Sequence, residues 1–266
     1  MAAPHENVID VTRDVGPAFS GTPPRPLVFA TKLEEREFLK FRLAQAFRIF
    51  GNKSLSEGPA GHITVRDPVR TDCFWVNPFG LHFKLIQPKD LLLVDSNGTI
   101  LEESGPSRLL NNAAFMIMSN IHKARPDVLC AAHSHTPHGK AFSALGRKLD
   151  PITQDASAFY DDHIVFSHYK GMVLEQDEGA AIAAALGSKK AAILQNHGLL
   201  VACGSVEAML HFFIAFESAC RVQILADTMA AAHGTETLKI NHDEAKKTGG
   251  VGGIAGCWLA ERDHGV

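Results

Sequence analysis

The stretch that most constrains this chain is a short apolar run, residues 128–132, that leads directly into His133-Ser134-His135. Pro126 precedes the run and Pro137 follows it, so its length and boundaries predict a buried strand rather than a helix. Side chains alternate across a strand, so the two histidines share a face and lie about 6–7 Å apart at the backbone. Two imidazoles at that spacing can bind one divalent ion, and a third ligand is therefore expected elsewhere.

The candidate third ligand lies in a second apolar run, residues 191–201, which Asn-His-Gly interrupts at positions 196–198. This pattern predicts a strand, a sharp turn and a strand, with Gly198 supplying the freedom of the turn. A histidine between two buried strands needs a polar partner. Taken singly, the first motif is an ordinary strand and the second an ordinary turn. Taken together, they favour a metal site. Its ligands would be His133, His135 and His197.

Composition bounds the class of protein. The chain has 266 residues, of which 45% are hydrophobic and 21% charged, as in globular proteins with an ample core. A net charge of −3 without a Lys/Arg cluster argues against a nucleic-acid partner. We expect no secretory signal and no apolar run of transmembrane length, hence no membrane partner. Five cysteines without a Cys-x-x-Cys pair indicate reduced thiols and a cytoplasmic location.

Hydrophobic periodicity predicts the order of the elements. Residues 1–30, rich in proline and polar groups, are expected to form an extended or disordered arm, and residues 31–266 a single domain. Thr31 should cap a first helix that ends at Gly51. Strands are expected at 62–66 and 73–76, and a hairpin at 91–101 around Asn97-Gly98. Further helices are predicted near 107–124, 141–145, 178–186 and 205–232. The glycine-rich stretch 249–253 lacks the Lys-Ser/Thr of a phosphate loop and is expected to be flexible.

Four segments of this chain, taken in order, resemble the class II aldolase/adducin family. Gly61-His62-Ile63-Thr64-Val65-Arg66 is similar to the family's Gly-Asn-x-Ser-x-Arg strand, and Val76-Asn77-Pro78-Phe79-Gly80 to its Thr-Pro-x-Gly turn. The stretch 125–136 is similar to its metal strand, and residues 196–198 to its third-ligand turn. The resemblance implies an α/β fold, a three-layer α/β/α sandwich around a mostly antiparallel sheet.

The resemblance also implies a cofactor, an assembly and a chemistry. The family's three metal-binding histidines match His133, His135 and His197, which would hold one divalent ion per subunit. That ion is usually zinc, with manganese, cobalt or iron as alternatives. Family aldolases are commonly homo-tetramers with the site at a subunit boundary. They act on small-molecule substrates by retro-aldol cleavage, in which the metal chelates two neighbouring oxygens and stabilises an enediolate.

The chain departs from the family's aldolases at the expected substrate pocket. The aldolases' Ser-Ser-Glu, which supplies phosphate donors and the general base, matches Asn112, Ala113 and Ala114. A further phosphate-binding asparagine matches His62, and the small polar residue of the turn matches Phe79. A pocket that loses donors and gains a phenyl ring predicts a non-phosphorylated, aromatic or apolar substrate. The residues expected to bind it are His62, Thr64, Asn77, Phe79, Gly80 and Asn112.

Three functions compete on these residues. The favoured one is a metal-dependent lyase that cleaves or decarboxylates an oxo- or hydroxy-acid, with Tyr160 or His163 as proton donor. The second is a non-catalytic, adducin-like interaction module, because Asn112-x-Ala114-Phe115 and His135-Thr136-Pro137 resemble adducins more closely than sugar aldolases. Adducins carry a long tail ending in a Lys-rich run, which this sequence lacks, and that favours an enzyme. The third, a sugar-phosphate epimerase, is disfavoured by the missing phosphate donors.

Overall fold

The computed structural model of this chain describes residues 27–56, 58, 61–167 and 176–250. The α-helices are α1 (Lys32–Asn52), α2 (Asn112–Ala124), α3 (Pro137–Ser143), α4 (Gln176–Leu186) and α5 (Val206–Ala232). The strands are β1 (His62–Arg66), β2 (Cys73–Val76), β3 (Leu92–Asp95), β4 (Cys130–Ser134), β5 (His163–Phe166), β6 (Ala191–Leu194) and β7 (Gly198–Cys203). Most of the predicted arm, residues 1–26, lies outside the described residues, as do residues 251–266. The predicted division into arm and domain therefore stays a prediction.

The seven strands form one open sheet in the order β3-β2-β1-β4-β7-β6-β5. Every neighbouring pair is antiparallel except β5 and β6, which run parallel. Parallel neighbours need a crossover connection, and the segment containing α4 supplies it between these two strands. The predicted mostly antiparallel sheet is confirmed.

The two faces of the sheet bury different residues because side chains alternate along each strand. One face, with Ile63 on β1 and Val201 on β7, packs against α1 and α5 in the largest apolar cluster. The other face, with Ala131 on β4 and Leu200 on β7, packs in a separate cluster with residues of α2 and α4. Helices therefore cover both faces, which confirms the predicted three-layer α/β/α sandwich.

Capping side chains set the helix boundaries. As predicted, Thr31 begins α1, its Oγ1 accepting a hydrogen bond from the Glu34 N–H at 3.2 Å. The predicted end at Gly51 is wrong, because α1 continues to Asn52. Gly51 instead allows close packing, since a Cβ at this position would lie 2.6 Å from Lys84 Cγ. The second helix begins at residue 112 rather than 107, because Asn111 Oδ1 accepts from the Ala114 N–H at 3.2 Å.

Two further expectations are corrected. The second strand of the hairpin predicted at 91–101 is reduced to a single bridge between Val94 and Ile100. Helix α5, which Ser205 caps as predicted, is long and apolar enough to cross a membrane by length and composition, contrary to the expectation from sequence. Half of its most apolar window, 50%, is buried in the fold, as in the core helix of a globular domain. Its packing against the sheet accounts for that apolar composition.

Candidate metal centre

The three predicted metal ligands converge at one end of the central strands. His133 lies on β4, His135 follows its last residue, and His197 lies in the turn between β6 and β7. Ring centroids are 5.0 Å apart for His133 and His135, 4.6 Å for His133 and His197, and 4.7 Å for His135 and His197. One nitrogen from each ring lies within 4.8 Å of the other two. Three imidazoles in a near-equilateral triangle are a ligand set that zinc and neighbouring transition metals accept.

The turn that carries His197 is built differently from the prediction. Asn196, not Gly198, has the left-handed conformation, with φ of +56°. Asparagine tolerates this region better than most residues do. Gly198 is instead required for close approach, because a Cβ at this position would lie 2.5 Å from the Ser134 carbonyl oxygen. The glycine therefore lets β7 pair tightly with β4 beside the ligands.

A hydrogen bond to the backbone fixes the orientation of the His133 ring. Its Nδ1–H donates to the Leu199 carbonyl oxygen at 2.9 Å, which leaves Nε2 as the nitrogen with a free lone pair. That Nε2 is buried and has no hydrogen-bond partner among the described residues. Burial, reinforced by the neighbouring imidazoles, holds the pKa of His133 well below its usual range. A neutral, oriented and unpaired imidazole nitrogen suits a metal ion, so the residues present fit the ion that the family resemblance implies.

His197 is also held neutral. Burial, followed by the nearby His135, lowers its pKa to about 4. Histidines bind metal ions in the neutral form, so the site needs no proton loss near neutral pH.

A fourth imidazole adjoins the triangle. His62 lies opposite His133 in the β1–β4 register, with ring centroids 5.3 Å apart. It is 4% exposed, and neither ring nitrogen has a partner among the described residues. Burial, followed by His197 and His135, lowers the pKa of His62 to about 3. Buried polar atoms without partners are rare, so an unpaired neutral imidazole beside the ligands points to a bound group.

His62 lines a small cavity of about 10 Å³ next to the triangle, enough for one water-sized group. Asn77 and Ala114 also line it, and Asn77 Oδ1 is a second buried polar atom without a partner among the described residues. The rest of the wall is mostly apolar. It comprises Gly61, Val76, Phe79, Leu110, Asn111 and Phe115. No Lys or Arg side chain lines this cavity within the described parts of the chain.

Three of the predicted substrate-binding residues lie elsewhere. The buried Thr64 Oγ1 lies 2.9 Å from His122 Nε2 and 3.4 Å from the Ala131 carbonyl oxygen, so it is engaged inside the fold. Asn112 is exposed at the start of α2, and its neighbour Asn111 lines the cavity instead. Gly80 is exposed with φ of +87°, and a Cβ at this position would meet nothing within 4 Å, so the glycine serves the turn rather than a contact. His62, Asn77 and Phe79 line the cavity, and their role in substrate binding stays a prediction.

The two predicted proton donors are placed differently from each other. His163 is buried, its Nδ1–H donates to the Phe159 carbonyl oxygen at 2.6 Å, and its Nε2 accepts from the Leu149 N–H at 3.0 Å. It also pairs with Ala191, at the end of β6 far from His197. Because both nitrogens are engaged inside the fold, the structure does not support His163 as a donor. Tyr160 is partly exposed, with its hydroxyl 2.9 Å from His242 Nδ1, and its role stays a prediction.

Glu217, which was not predicted from sequence, is a buried carboxylate on α5 that contacts the segment directly after His135. A signal was present in the sequence, since Glu217 interrupts a long apolar stretch of α5. Buried acidic residues are rare unless their oxygens are paired. Its partners could not be read from sequence, because they come from a distant element.

The chain belongs to the class II aldolase/adducin family. The family described as Class II Aldolase and Adducin N-terminal domain matches residues 41–224. Within it, the chain is 45% identical over 214 residues to "4-hydroxy-3-prenylphenylpyruvate oxygenase/4-hydroxy-3-prenylbenzoate synthase" of Streptomyces roseochromogenus subsp. oscitans, covering 80% of this chain and 76% of that protein. It is also 45% identical over 204 residues to "Decarboxylase NovR" of Streptomyces niveus, covering 76% and 75%.

A solved structure shares the fold. "L-fuculose 1-phosphate aldolase from Glaciozyma antarctica PI12" matches with a TM-score of 0.76 and 40% sequence identity, over 89% of this chain and 94% of that one. The fold and the family resemblance inferred from four short motifs are therefore both confirmed. The relatives' names also span decarboxylase, oxygenase and aldolase, so the function of this chain has to be argued from its own site.

Proposed function

We propose that this chain is a metal-dependent carbon–carbon lyase that acts on a non-phosphorylated oxo- or hydroxy-acid, by decarboxylation or retro-aldol cleavage. Two 45%-identical relatives support the class, one named a decarboxylase and one named for a prenylated hydroxyphenylpyruvate, itself an oxo-acid. His133, His135 and His197 would hold the metal ion.

The observation that carries the proposal is the cavity beside these histidines. Phosphate binding uses several N–H donors or cationic side chains. The described lining offers no Lys or Arg, one neutral imidazole at His62 and an apolar wall that includes Phe79 and Phe115. The cavity admits only a water-sized group, so it would take one end of a substrate, and its lining fits a neutral or apolar group there better than a phosphate dianion.

Chemistry follows from what the side chains can do. A bound divalent ion supplies Lewis acidity that polarises a carbonyl oxygen and stabilises negative charge on it. Cleavage of the carbon–carbon bond at the α-carbon of a carbonyl compound leaves an electron pair that the carbonyl oxygen takes up as an enolate, and the α-carbon then needs a proton. His62, neutral and buried, would donate a hydrogen bond to a substrate oxygen, and Asn77 would orient the same group. Tyr160 would deliver the proton in an assembly that brings it to the site.

Ala114 also fits a lyase that does not need the aldolase carboxylate. It lines the cavity at the start of α2 and offers only a methyl group. Decarboxylation requires an electron sink more than a base, so the absence of a carboxylate here affects it less than it affects retro-aldol cleavage.

Purified protein reconstituted separately with zinc, manganese, cobalt and iron(II) tests the proposal. Each form is assayed with 3-oxo acids, 4-hydroxy-2-oxo acids and aromatic 2-oxo acids, following CO₂ and carbonyl products with and without oxygen. We expect metal-dependent cleavage of at least one of these acids without oxygen uptake. Cleavage that occurs only with oxygen consumption would instead assign an oxygenase activity, in line with the name of one relative.

Two other outcomes separate the alternatives. Faster turnover of L-fuculose 1-phosphate than of any free acid would favour a sugar-phosphate enzyme, as the name of one structural relative suggests. No turnover of any compound by the metal-loaded protein would favour the non-catalytic adducin-like module.

We also propose a cytoplasmic location, from the cysteine pattern, and a homo-oligomer with a tetramer as the expected state, from the family resemblance alone. Light scattering tests the assembly, because a mass near the 28.8 kDa of one chain would contradict it.

A further inference from the structure

Glu217 is a buried carboxylate that the proposed chemistry does not use. It lies on α5 and is 7% exposed, with Phe213 and Phe216 beside it on the buried face of the helix. Burying an ionised carboxylate is costly unless several donors satisfy its oxygens. Its hydrogen-bond partners must therefore offset the cost of burying it.

Four donors meet the Glu217 carboxylate, and all belong to one short segment. Oε2 accepts hydrogen bonds from Thr136 Oγ1 and from the Gly139 N–H, the latter at 2.8 Å. Oε1 accepts from the His138 N–H at 3.0 Å and from His138 Nδ1–H at 2.8 Å. These donors lie at the junction where β4 has ended and α3 begins.

This junction carries a metal ligand. The last strand residue of β4 is Ser134, so His135 lies just beyond the strand. The next residue, Thr136, is fully buried and bonded to Glu217. Strand pairing ends at Ser134, so the hydrogen bonds to Glu217 fix the backbone immediately after His135 in its place.

The same junction also contacts the strand that orients His133. A Cβ on Gly139 would lie 2.5 Å from Thr136 Oγ1 and 2.6 Å from Leu199 Cγ, so the two segments pack at the closest spacing. The Leu199 carbonyl oxygen is the acceptor for His133 Nδ1–H. A shift of the junction would therefore reach two of the three candidate ligands.

We propose that Glu217 is a positioning residue for the metal centre, which fixes His135 through Thr136 and supports His133 through the contact of Gly139 with Leu199. The inference rests on the metal site of the proposed function. Outer partners of this kind typically change metal affinity by about 10–100-fold when removed.

Glu217→Gln is the direct test. The amide keeps the shape of the side chain but replaces one acceptor oxygen with a donor that faces N–H and O–H groups. Glu207→Gln is the matched control, since it makes the same change in the first turn of the same helix, where Glu207 pairs with Arg42. Thr136→Val and Thr136→Ser form a second pair, because valine removes the hydroxyl and serine retains it.

Cobalt(II) is the probe, with binding followed by its visible absorption and by competition with a chelator at a temperature where every variant is folded. We expect Glu217→Gln and Thr136→Val to weaken cobalt binding about 10–100-fold, with Thr136→Ser and Glu207→Gln within about twofold of wild type. Melting of the metal-free proteins is measured in parallel. A merely structural role would lower the melting temperature and leave cobalt affinity unchanged.

The outcomes separate this proposal from the proposed function. Wild-type protein that binds no cobalt would overturn the metal site and this proposal together. Wild-type binding with unchanged affinity in Glu217→Gln and Thr136→Val would overturn the positioning role alone. If Glu217→Gln does not fold, the comparison of Thr136→Val with Thr136→Ser decides, and equal affinities for these two would overturn the role.

Discussion

His62 lies directly across from His133 where β1 pairs with β4, and their ring centroids are 5.3 Å apart. The two imidazoles share burial and neutrality but differ in their hydrogen bonds. His133 has its Nδ1–H committed to the Leu199 carbonyl oxygen, which presents Nε2 to the triangle. His62 has neither nitrogen committed among the described residues, and it lines the cavity. We therefore expect His133 to bind the metal ion and His62 to bind the substrate.

The first prediction concerns metal content. Wild-type protein should carry about one divalent transition ion per chain, and His135→Ala should lose most of it, because three histidines are the minimum set for such a site. Elemental analysis after gel filtration measures this. His233→Ala, an exposed histidine at the end of α5, is the control and should keep the ion. Equal metal content in wild type and His135→Ala would reject the site assignment.

The second prediction concerns His62. His62→Leu fills the same space without a hydrogen-bond donor, so kcat/KM should fall by about 10–100-fold, the size of one lost hydrogen bond to a polarised oxygen. Metal content should stay at the wild-type level. If the ion is lost as it is in His135→Ala, His62 is a ligand and the division above is wrong.

The third prediction concerns the missing carboxylate. Ala114→Glu places an acidic group in the cavity lining, where it would compete with substrate for the metal ion. We expect activity to fall to a small fraction of wild type while metal content is retained. Asn112→Glu, two residues earlier and exposed on the same helix, should leave activity close to wild type. Higher activity on the native substrate in Ala114→Glu would contradict a mechanism that works without this carboxylate.

The fourth prediction concerns the proton donor. Tyr160→Phe should lower kcat by about 10²–10³ with unchanged metal content, the size typical of a lost acid–base group. The Tyr160 hydroxyl lies 2.9 Å from His242 Nδ1, so His242→Leu is the control for this contact alone. We expect His242→Leu to keep kcat within about threefold of wild type. If Tyr160→Phe and His242→Leu lower kcat by the same small factor, Tyr160 has a structural role and is not the proton donor.

The fifth prediction concerns pH and stability. Burial lowers the pKa of His122 to about 3 from its ordinary 6.5, aided by Arg66 and opposed by the Val128 carbonyl oxygen. Between these values the unfolded chain binds more protons than the folded one, so stability rises with pH across this window and is lost as pH falls below about 6.5.

Urea unfolding between pH 7.5 and 4.5, with a chelator present, measures this slope. His122→Gln should make the slope shallower by up to about 1.4 kcal/mol per pH unit, the value for one proton. An unchanged slope in His122→Gln would show that His122 is not held neutral.

Local pattern was enough to predict most of the fold and the three histidines that converge in it. The alternation of β1 and the apolar run before His133 each encode a buried strand within a few residues. Helix ends were harder to predict from sequence. The hydrophobic pattern extended α2 back to residue 107, whereas Asn111 caps the helix in the structure. The distinction depends on which side chain reaches a backbone N–H, which periodicity does not carry.

Long-range contacts explain the remaining errors. His163 looks like a free histidine in sequence, yet Leu149 and Phe159 occupy its two nitrogens once the chain is folded. Glu217 interrupts an apolar stretch of α5, but its partners come from a segment in another part of the chain. In both cases the partners are fixed by tertiary packing, so no local pattern could report them.

The ligand triangle has a consequence for how the chain folds. His135 and His197 are separated by about sixty residues, a span that includes β5 and α4, and joining them closes a long loop with a substantial entropic cost. The pairing of β4 with β7 has to form before all three rings can meet. We therefore expect metal uptake late in folding, and a bound ion would act as a cross-link that slows the separation of these strands. Retention of the ion would report, in a single measurement, that the middle of the sheet has reached its native topology.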